Sequence, residues 1–157
     1  ALAVAVLDAR GFKQDDFARS HPGGSLGRRL LTHIADVMRT GADVPAVFVS
    51  ASLSDVMREM SQKGLGATAI IDVDKQVLGV FTDGDLRRLI EKGIDLRELT
   101  AADVMHPNPT TLRDTALAAE AAQLMELKRI TSVLIVNAQG QLCGVVNSND
   151  LMRAKVI

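Results

Sequence analysis

The sequence contains no tryptophan and no tyrosine, and its aromatic content is only 3%, all of it phenylalanine. Aromatic side chains are the usual platforms on which single-stranded nucleic acids stack their bases. Charge gives no alternative attraction, because 18 basic residues face 19 acidic ones and the formal net charge is −1. We therefore expect neither a nucleic acid nor an acidic membrane surface as a partner.

Cysteine and histidine are also scarce. The single cysteine, Cys143, excludes an internal disulfide, and the three histidines (His21, His33 and His106) are too scattered for metal-ligand spacing. We expect no metal site and no cofactor. No apolar run reaches the roughly 18 residues of a membrane helix. In the absence of a signal peptide, we expect a cytoplasmic protein, and the initial Ala1 suggests a piece of a longer chain.

One unit of sequence occurs twice. Met60–Arg88 aligns without gaps with Met125–Arg153, 65 residues further on, and nine of the 29 positions are identical. An Asp-Val-Met triplet opens each unit, at Asp36–Met38 and at Asp103–Met105. Two copies that bury their apolar faces against each other form a cleft between them, which is a natural place for a ligand.

The order of elements is the same in both units. Apolar strands, an amphipathic helix, a hairpin and a second helix predict a β-α-β-β-α repeat and an α/β fold. We place the repeats at residues 36–101 and 102–157. Residues 1–35 do not repeat and are too short to bury their apolar start. We also expect an extended backbone at Asn108, which lies between two prolines.

The paired motifs resemble a known family. Gly79–Asp85 reads Gly-Val-Phe-Thr-Asp-Gly-Asp and Gly144–Asp150 reads Gly-Val-Val-Asn-Ser-Asn-Asp, each followed by leucine. This duplication resembles a tandem pair of CBS (cystathionine β-synthase-type) domains over about residues 36–157. The resemblance implies a pseudo-two-fold CBS pair, also called a Bateman module.

The resemblance also implies ligand-binding residues. In the family, a Thr or Ser after the strand and an Asp three positions later hold a nucleotide's phosphate and ribose. Here these are Thr82 and Asp85, with Asn147 and Asp150 in the second copy, where Asn147 departs from the Thr/Ser pattern. A carboxylate offers acceptors for a ribose diol, and a helix N-terminus favours a phosphate.

Two simpler interpretations stay open at these positions. An Asp in the first turn of a helix stabilises it as a cap without any ligand, and duplication copies caps as well as sites. Gly79 and Gly144 are expected to permit a close backbone approach. We expect Phe48 and Phe81 to lie in the core rather than to stack on a base.

The segment before the repeats narrows the resemblance. Ser20–Leu31 reads SHPGGSLGRRLL, and together with the repeats it resembles the C-terminal half of D-arabinose 5-phosphate isomerases, which join a sugar isomerase (SIS) domain to two CBS domains. The resemblance implies that 1–35 is the end and linker of an SIS domain. It makes His21 a candidate catalytic residue of the full-length enzyme only. Without the rest of that domain, we expect no isomerase activity from these residues.

Two functions remain open. In the first, the repeats regulate an isomerase of D-ribulose 5-phosphate and D-arabinose 5-phosphate, which supplies Kdo, an acidic sugar of lipopolysaccharide or capsule. The ligand would be AMP or ATP, or the nucleotide sugar CMP-Kdo. In the second, the repeats are a structural clamp for the SIS domains, without a ligand. Either function agrees with a homo-oligomer, a dimer of CBS pairs that becomes a tetramer in the parent, since one pair leaves helical faces half covered.

Overall fold

The computed structural model describes residues 30–157. Residues 1–29, including His21 and most of the expected SIS remnant, lie outside the described part. The described chain forms two repeats, each introduced by a short helix. The first comprises α1 (Ile34–Val37), β1 (Ala46–Phe48), α2 (Leu53–Lys63), β2 (Ala67–Ile71), β3 (Val77–Thr82) and α3 (Asp83–Glu91). The second comprises α4 (Ala101–Val104), β4 (His106–Pro107), β5 (Thr111–Arg113), α5 (Ala118–Lys128), β6 (Ser132–Val136), β7 (Leu142–Asn147) and α6 (Ser148–Arg153).

Each repeat has its own sheet with the same three-stranded arrangement, and the first sheet also includes β4, which pairs antiparallel with β3. In the first, β1 runs parallel to β2 and β3 runs antiparallel to β2, which confirms the expected hairpin. In the second, β5, β6 and β7 have the same relationships. The α/β class and the β-α-β-β-α order predicted from the sequence are therefore confirmed.

The segments that introduce the repeats pack crosswise. Ile34 of α1 is fully buried in the core of the second repeat, beside Ala118 and Val146. Ala101 of α4 is fully buried in the core of the first repeat, beside Val56. Each repeat is thus completed by residues that precede the other one in the chain. Val37 and Met38 likewise pack on the core of the second repeat, and Val104 and Met105 on that of the first.

Two glycines make this exchange possible. A Cβ on Gly79 would lie 2.6 Å from Sδ of Met105 and 2.9 Å from the His106 carbonyl oxygen. At Gly144 the corresponding distances are 2.5 Å to Sδ of Met38 and 3.0 Å to the Arg39 carbonyl oxygen. The close approach expected at both glycines is confirmed, and what approaches is the methionine of each Asp-Val-Met triplet.

Two local expectations are wrong. The extended backbone expected at Asn108 is replaced by a left-handed one, with φ of 51°. Asparagine tolerates this region better than most residues. Phe81 is fully buried as expected, but Phe48 is 55% exposed, because β1 is only three residues long and lies at the edge of its sheet.

Residues 30–157 contain no helix that is long and apolar enough to cross a membrane. Within the same range, no three histidine, cysteine or acidic side chains are grouped closely enough to hold a metal ion.

Candidate functional site

A cleft of about 610 Å³ opens between the two repeats. Its first wall is the end of β3 and the start of α3, with the neighbouring Gly66 and Ala67. Its second wall is the chain from the end of α5 into β6, and residues 106–110 close one side. We call this the first cleft. Its side chains include Thr82, Asp85, Arg88, His106, Thr110, Lys128, Arg129, Thr131 and Ser132.

Thr82 and Asp85 form a reciprocal cap at the start of α3. The Thr82 hydroxyl accepts a hydrogen bond from the Asp85 backbone N–H at 3.2 Å. In return, Oδ2 of Asp85 accepts from the Thr82 backbone N–H and from its hydroxyl, each at 3.0 Å. Arg88, one turn later, donates to Oδ1. The caps weighed as an alternative to ligand binding are therefore present, yet the Asp85 side chain also lines the cleft and is 17% exposed.

The opposite wall is basic. Lys128 ends α5, and Arg129 follows it in a left-handed conformation with φ of 56°, which reverses the chain into the cleft wall. Both side chains are exposed, and neither forms an ion pair with any residue in 30–157. The first cleft is thus lined by two carboxylates of the first repeat, Asp83 and Asp85, and by two cations of the second. This arrangement suits a ligand that carries both hydroxyl groups and negative charge.

Asn147 and Asp150 occupy the equivalent place in the second repeat. The Asn147 side-chain oxygen accepts from the Asp150 backbone N–H at 2.8 Å, and Oδ2 of Asp150 accepts from the Asn147 N–H at 3.0 Å. Asparagine therefore accepts the same capping bond as threonine, but within residues 30–157 it does not donate to the carboxylate as the Thr82 hydroxyl does. Arg153 donates to Oδ1 of Asp150, as Arg88 does to Asp85.

A further residue makes the second site different. Arg39 donates from Nε to Oδ2 of Asp150 at 3.2 Å and from Nη2 to Oδ1 at 3.2 Å. Its Nη1 reaches the Lys63 carbonyl oxygen at 3.3 Å. Arg39 therefore connects the end of α2 in the first repeat with the start of α6 in the second. Only 6% of the Asp150 side chain remains exposed.

These contacts determine the charge of Asp150. Burial raises the pKa of this carboxyl group, but hydrogen bonds from Arg39, from the Asn147 N–H and from Arg153, with the nearby charge of Arg39, lower it more. The resulting pKa lies below the ordinary value of 3.8. Asp150 is consequently an ionised, internally paired carboxylate.

The structure brings Thr82 and Asp85 into one cleft, and it places Asn147 and Asp150 at the equivalent helix start. Sequence reasoning missed Arg39, Lys128 and Arg129. Arg39 could have been noticed in the sequence, because it directly follows the first Asp-Val-Met triplet, at the position that His106 occupies after the second triplet. Arg129 had no such signal, since its counterpart in the first repeat is Gly64.

Comparison with known proteins agrees with this architecture. The family model "CBS domain" matches residues 34–92 and 101–157. Among solved structures, CBSX2, a CBS-pair protein from Arabidopsis thaliana, was determined in complex with AMP. It has a TM-score of 0.66 and 25% identity, over 78% of this chain and 95% of that one. A conserved protein from Pyrococcus horikoshii has a TM-score of 0.68 and 27% identity, over 78% of this chain and 91% of its own.

A curated relative is similar along the whole sequence. The arabinose 5-phosphate isomerase KdsD of Escherichia coli (strain K12) is 49% identical over all 157 residues. The match covers 48% of that enzyme, so the chain spans about half the length of the curated relatives it matches. The resemblance to the C-terminal region of these isomerases is confirmed.

Proposed function

This chain belongs to the CBS domain family, and we propose that it binds a nucleotide or nucleotide sugar in the first cleft and thereby regulates an arabinose 5-phosphate isomerase. The observation that carries the proposal is that Asp85 of the first repeat lines the same cleft as Lys128 and Arg129 of the second. A ribose diol supplies two donors for a carboxylate, and a phosphate or carboxylate supplies acceptors for the cations.

The internal bonds of Asp85 are compatible with this role. Oδ2 already accepts two hydrogen bonds, whereas Oδ1 accepts one, from Arg88. A carboxylate has about four acceptor positions, so Oδ1 can still take a ribose hydroxyl. The Arg88 side chain is 62% exposed and can turn toward a phosphate at little cost. Asp85 would then hold both the helix start and the ligand.

The proposed parent interconverts D-ribulose 5-phosphate and D-arabinose 5-phosphate. Its SIS domain would carry the chemistry, with His21 as a candidate acid or base, and the repeats alone would have no isomerase activity. Binding would be transmitted to the SIS domain through residues 20–40, part of which packs on the second repeat. We propose a cytoplasmic homo-oligomer, a dimer of CBS pairs within a tetrameric parent. Adenine nucleotides and CMP-Kdo are the two candidate ligand classes.

The test is a titration of this chain with AMP, ATP, CMP and CMP-Kdo, by calorimetry and by thermal shift with an external dye. Asp85→Asn should weaken binding of the responding ligand about tenfold or more. Asp103→Asn is the matched control. At the start of α4, Oδ2 of Asp103 accepts hydrogen bonds from the Thr100 N–H at 2.9 Å and from the Thr100 hydroxyl at 3.0 Å, as Asp85 does from Thr82. Asp103 does not line the cleft. If both variants bind like the parent protein, Asp85 is only a cap.

One observation favours the structural clamp as a second candidate. The Arg39 guanidinium fills part of the second site, and large apolar side chains remain exposed on the outer helices, with Ile90 at 60% and Leu127 at 77%. If the repeats are a structural clamp, none of the four ligands should bind or shift the melting temperature. Leu127→Glu should then reduce the mass of the oligomer. Analytical ultracentrifugation with and without ligand separates the two functions.

A further inference from the structure

The two repeats present different residues at one equivalent position. Arg39 and His106 each follow an Asp-Val-Met triplet, and each pairs in antiparallel fashion with the same position of a hairpin. Arg39 pairs with Val145 of β7, and His106 pairs with Val80 of β3. The side chains therefore start from matching places, and any difference between the two sites comes from the side chains themselves.

Arg39 is held firmly in its place. Its backbone N–H donates to the Val145 carbonyl oxygen at 2.8 Å, and its carbonyl oxygen accepts from the Val145 N–H at 3.1 Å. The preceding Met38 lies against Gly144, where no side chain intervenes. With the backbone fixed, the guanidinium loses little further freedom when it makes a two-atom contact with Asp150 and a third contact with the Lys63 carbonyl.

His106 does not reproduce these contacts. Its imidazole is exposed, lines the first cleft and makes no hydrogen bond to Asp85. A histidine side chain is also shorter than an arginine side chain and cannot present two parallel donors to a carboxylate. Asp85 consequently keeps about three times the side-chain exposure of Asp150, 17% against 6%.

We propose that Arg39 closes the second site by occupying, with its own donors, the Asp150 oxygens that a ribose diol would use. The chain then binds one ligand, in the first cleft, and the identity of the residue after each triplet decides which site is open. This inference rests on the proposed function. Arg39 would then determine which of the two sites can bind a ligand, without itself contacting the ligand.

The test exchanges the two residues. With CMP and AMP as probes, calorimetry of the unmutated chain should give one site per chain for the ligand that binds. Arg39→His should open a second site, and adding Asp150→Asn should remove it again. In the reverse exchange, His106→Arg should weaken binding to the first cleft about tenfold or more, because a guanidinium then competes for Asp85. Arg39→Ala, which removes the donors without adding a ring, should also open the second site.

Each possible result of these titrations either supports or overturns the inference. One site in the parent and two in Arg39→His and Arg39→Ala support the inference. Two sites in the unmutated chain would overturn the inference and leave the proposed function intact. The same holds if Asp150→Asn weakens the binding that the unmutated chain shows. One site in all of these proteins overturns the role of Arg39. Absence of binding in the parent and in both Arg39 variants overturns the proposed function itself. Circular dichroism and the melting temperature establish that each variant is folded.

Discussion

Gln76 and Gln141 are equivalent residues of the two repeats, and each binds the hairpin turn of the other repeat. The Gln76 side-chain amide donates to the Gln139 carbonyl at 2.9 Å, and the Gln141 amide donates to the Asp74 carbonyl at 3.0 Å. The two residues also form an antiparallel bridge. The pseudo-two-fold axis of the molecule therefore passes between them, and the two hairpin tips are joined there.

The first prediction concerns this junction. Gln76→Ala and Gln141→Ala should each lower the free energy of unfolding by about 0.5–1.5 kcal/mol, because each removes a hydrogen bond between the repeats. Urea denaturation measures the change. Gln123→Ala is the control, since Gln123 is exposed and makes no side-chain hydrogen bond in residues 30–157, and its effect should stay within about 0.5 kcal/mol. Equal effects at all three positions would refute the junction.

The second prediction concerns the glycines beside the triplets. Gly144→Ala should destabilise the fold by about 1–3 kcal/mol, because the new methyl group meets Met38 and the fixed Arg39 carbonyl. Gly79→Ala should destabilise the fold by a similar amount, because its new methyl group meets Met105. In Gly84→Ala the new Cβ has 3.6 Å to its nearest neighbour and lies inside α3, so helix propensity predicts a gain of about 0.5–1 kcal/mol. Thermal or urea unfolding of the three variants checks the opposite signs.

The third prediction concerns acid. The folded-state pKa of Asp150 lies below its ordinary value of 3.8, so its contribution to stability is complete above that value and is lost as pH falls through the folded pKa. The free energy of unfolding should therefore fall less steeply below about pH 5 in Asp150→Asn than in the parent protein. Urea titrations at several pH values measure the slope. Arg39→Ala should give an intermediate slope, and parallel curves would contradict the assignment.

The fourth prediction concerns the sugar of the ligand. If Asp85 binds a ribose diol, the 2′-deoxy form of the responding nucleotide should bind about tenfold or more weakly to the parent protein. In Asp85→Asn the ribo and deoxy forms should differ much less, because the carboxylate acceptor is already gone. Calorimetry with the two nucleotides and the two proteins forms a complete cycle. A deoxy penalty of the same size in both proteins would place the sugar elsewhere.

Much of the fold was predictable because the repeat pattern is local. Alternating apolar residues, the short polar turns and the capping pairs define each strand and helix from near neighbours in the chain. The duplication showed that the same unit forms twice and that Thr82 and Asp85 have counterparts in Asn147 and Asp150. The close approach at Gly79 and Gly144 was also predictable, since a glycine inside a strand indicates that something packs against it.

The sequence by itself thus determined the α/β repeat, its two helix caps and the candidate site residues. Only the tertiary structure decided that each triplet packs on the other repeat, that Arg39 reaches Asp150, and that Lys128 and Arg129 line the same cleft as Asp85. Arg39 and Asp150 are 111 residues apart in the chain, so no local periodicity connects them. Their contact follows from the crosswise packing of the two repeats, which places a duplicated position in two different surroundings.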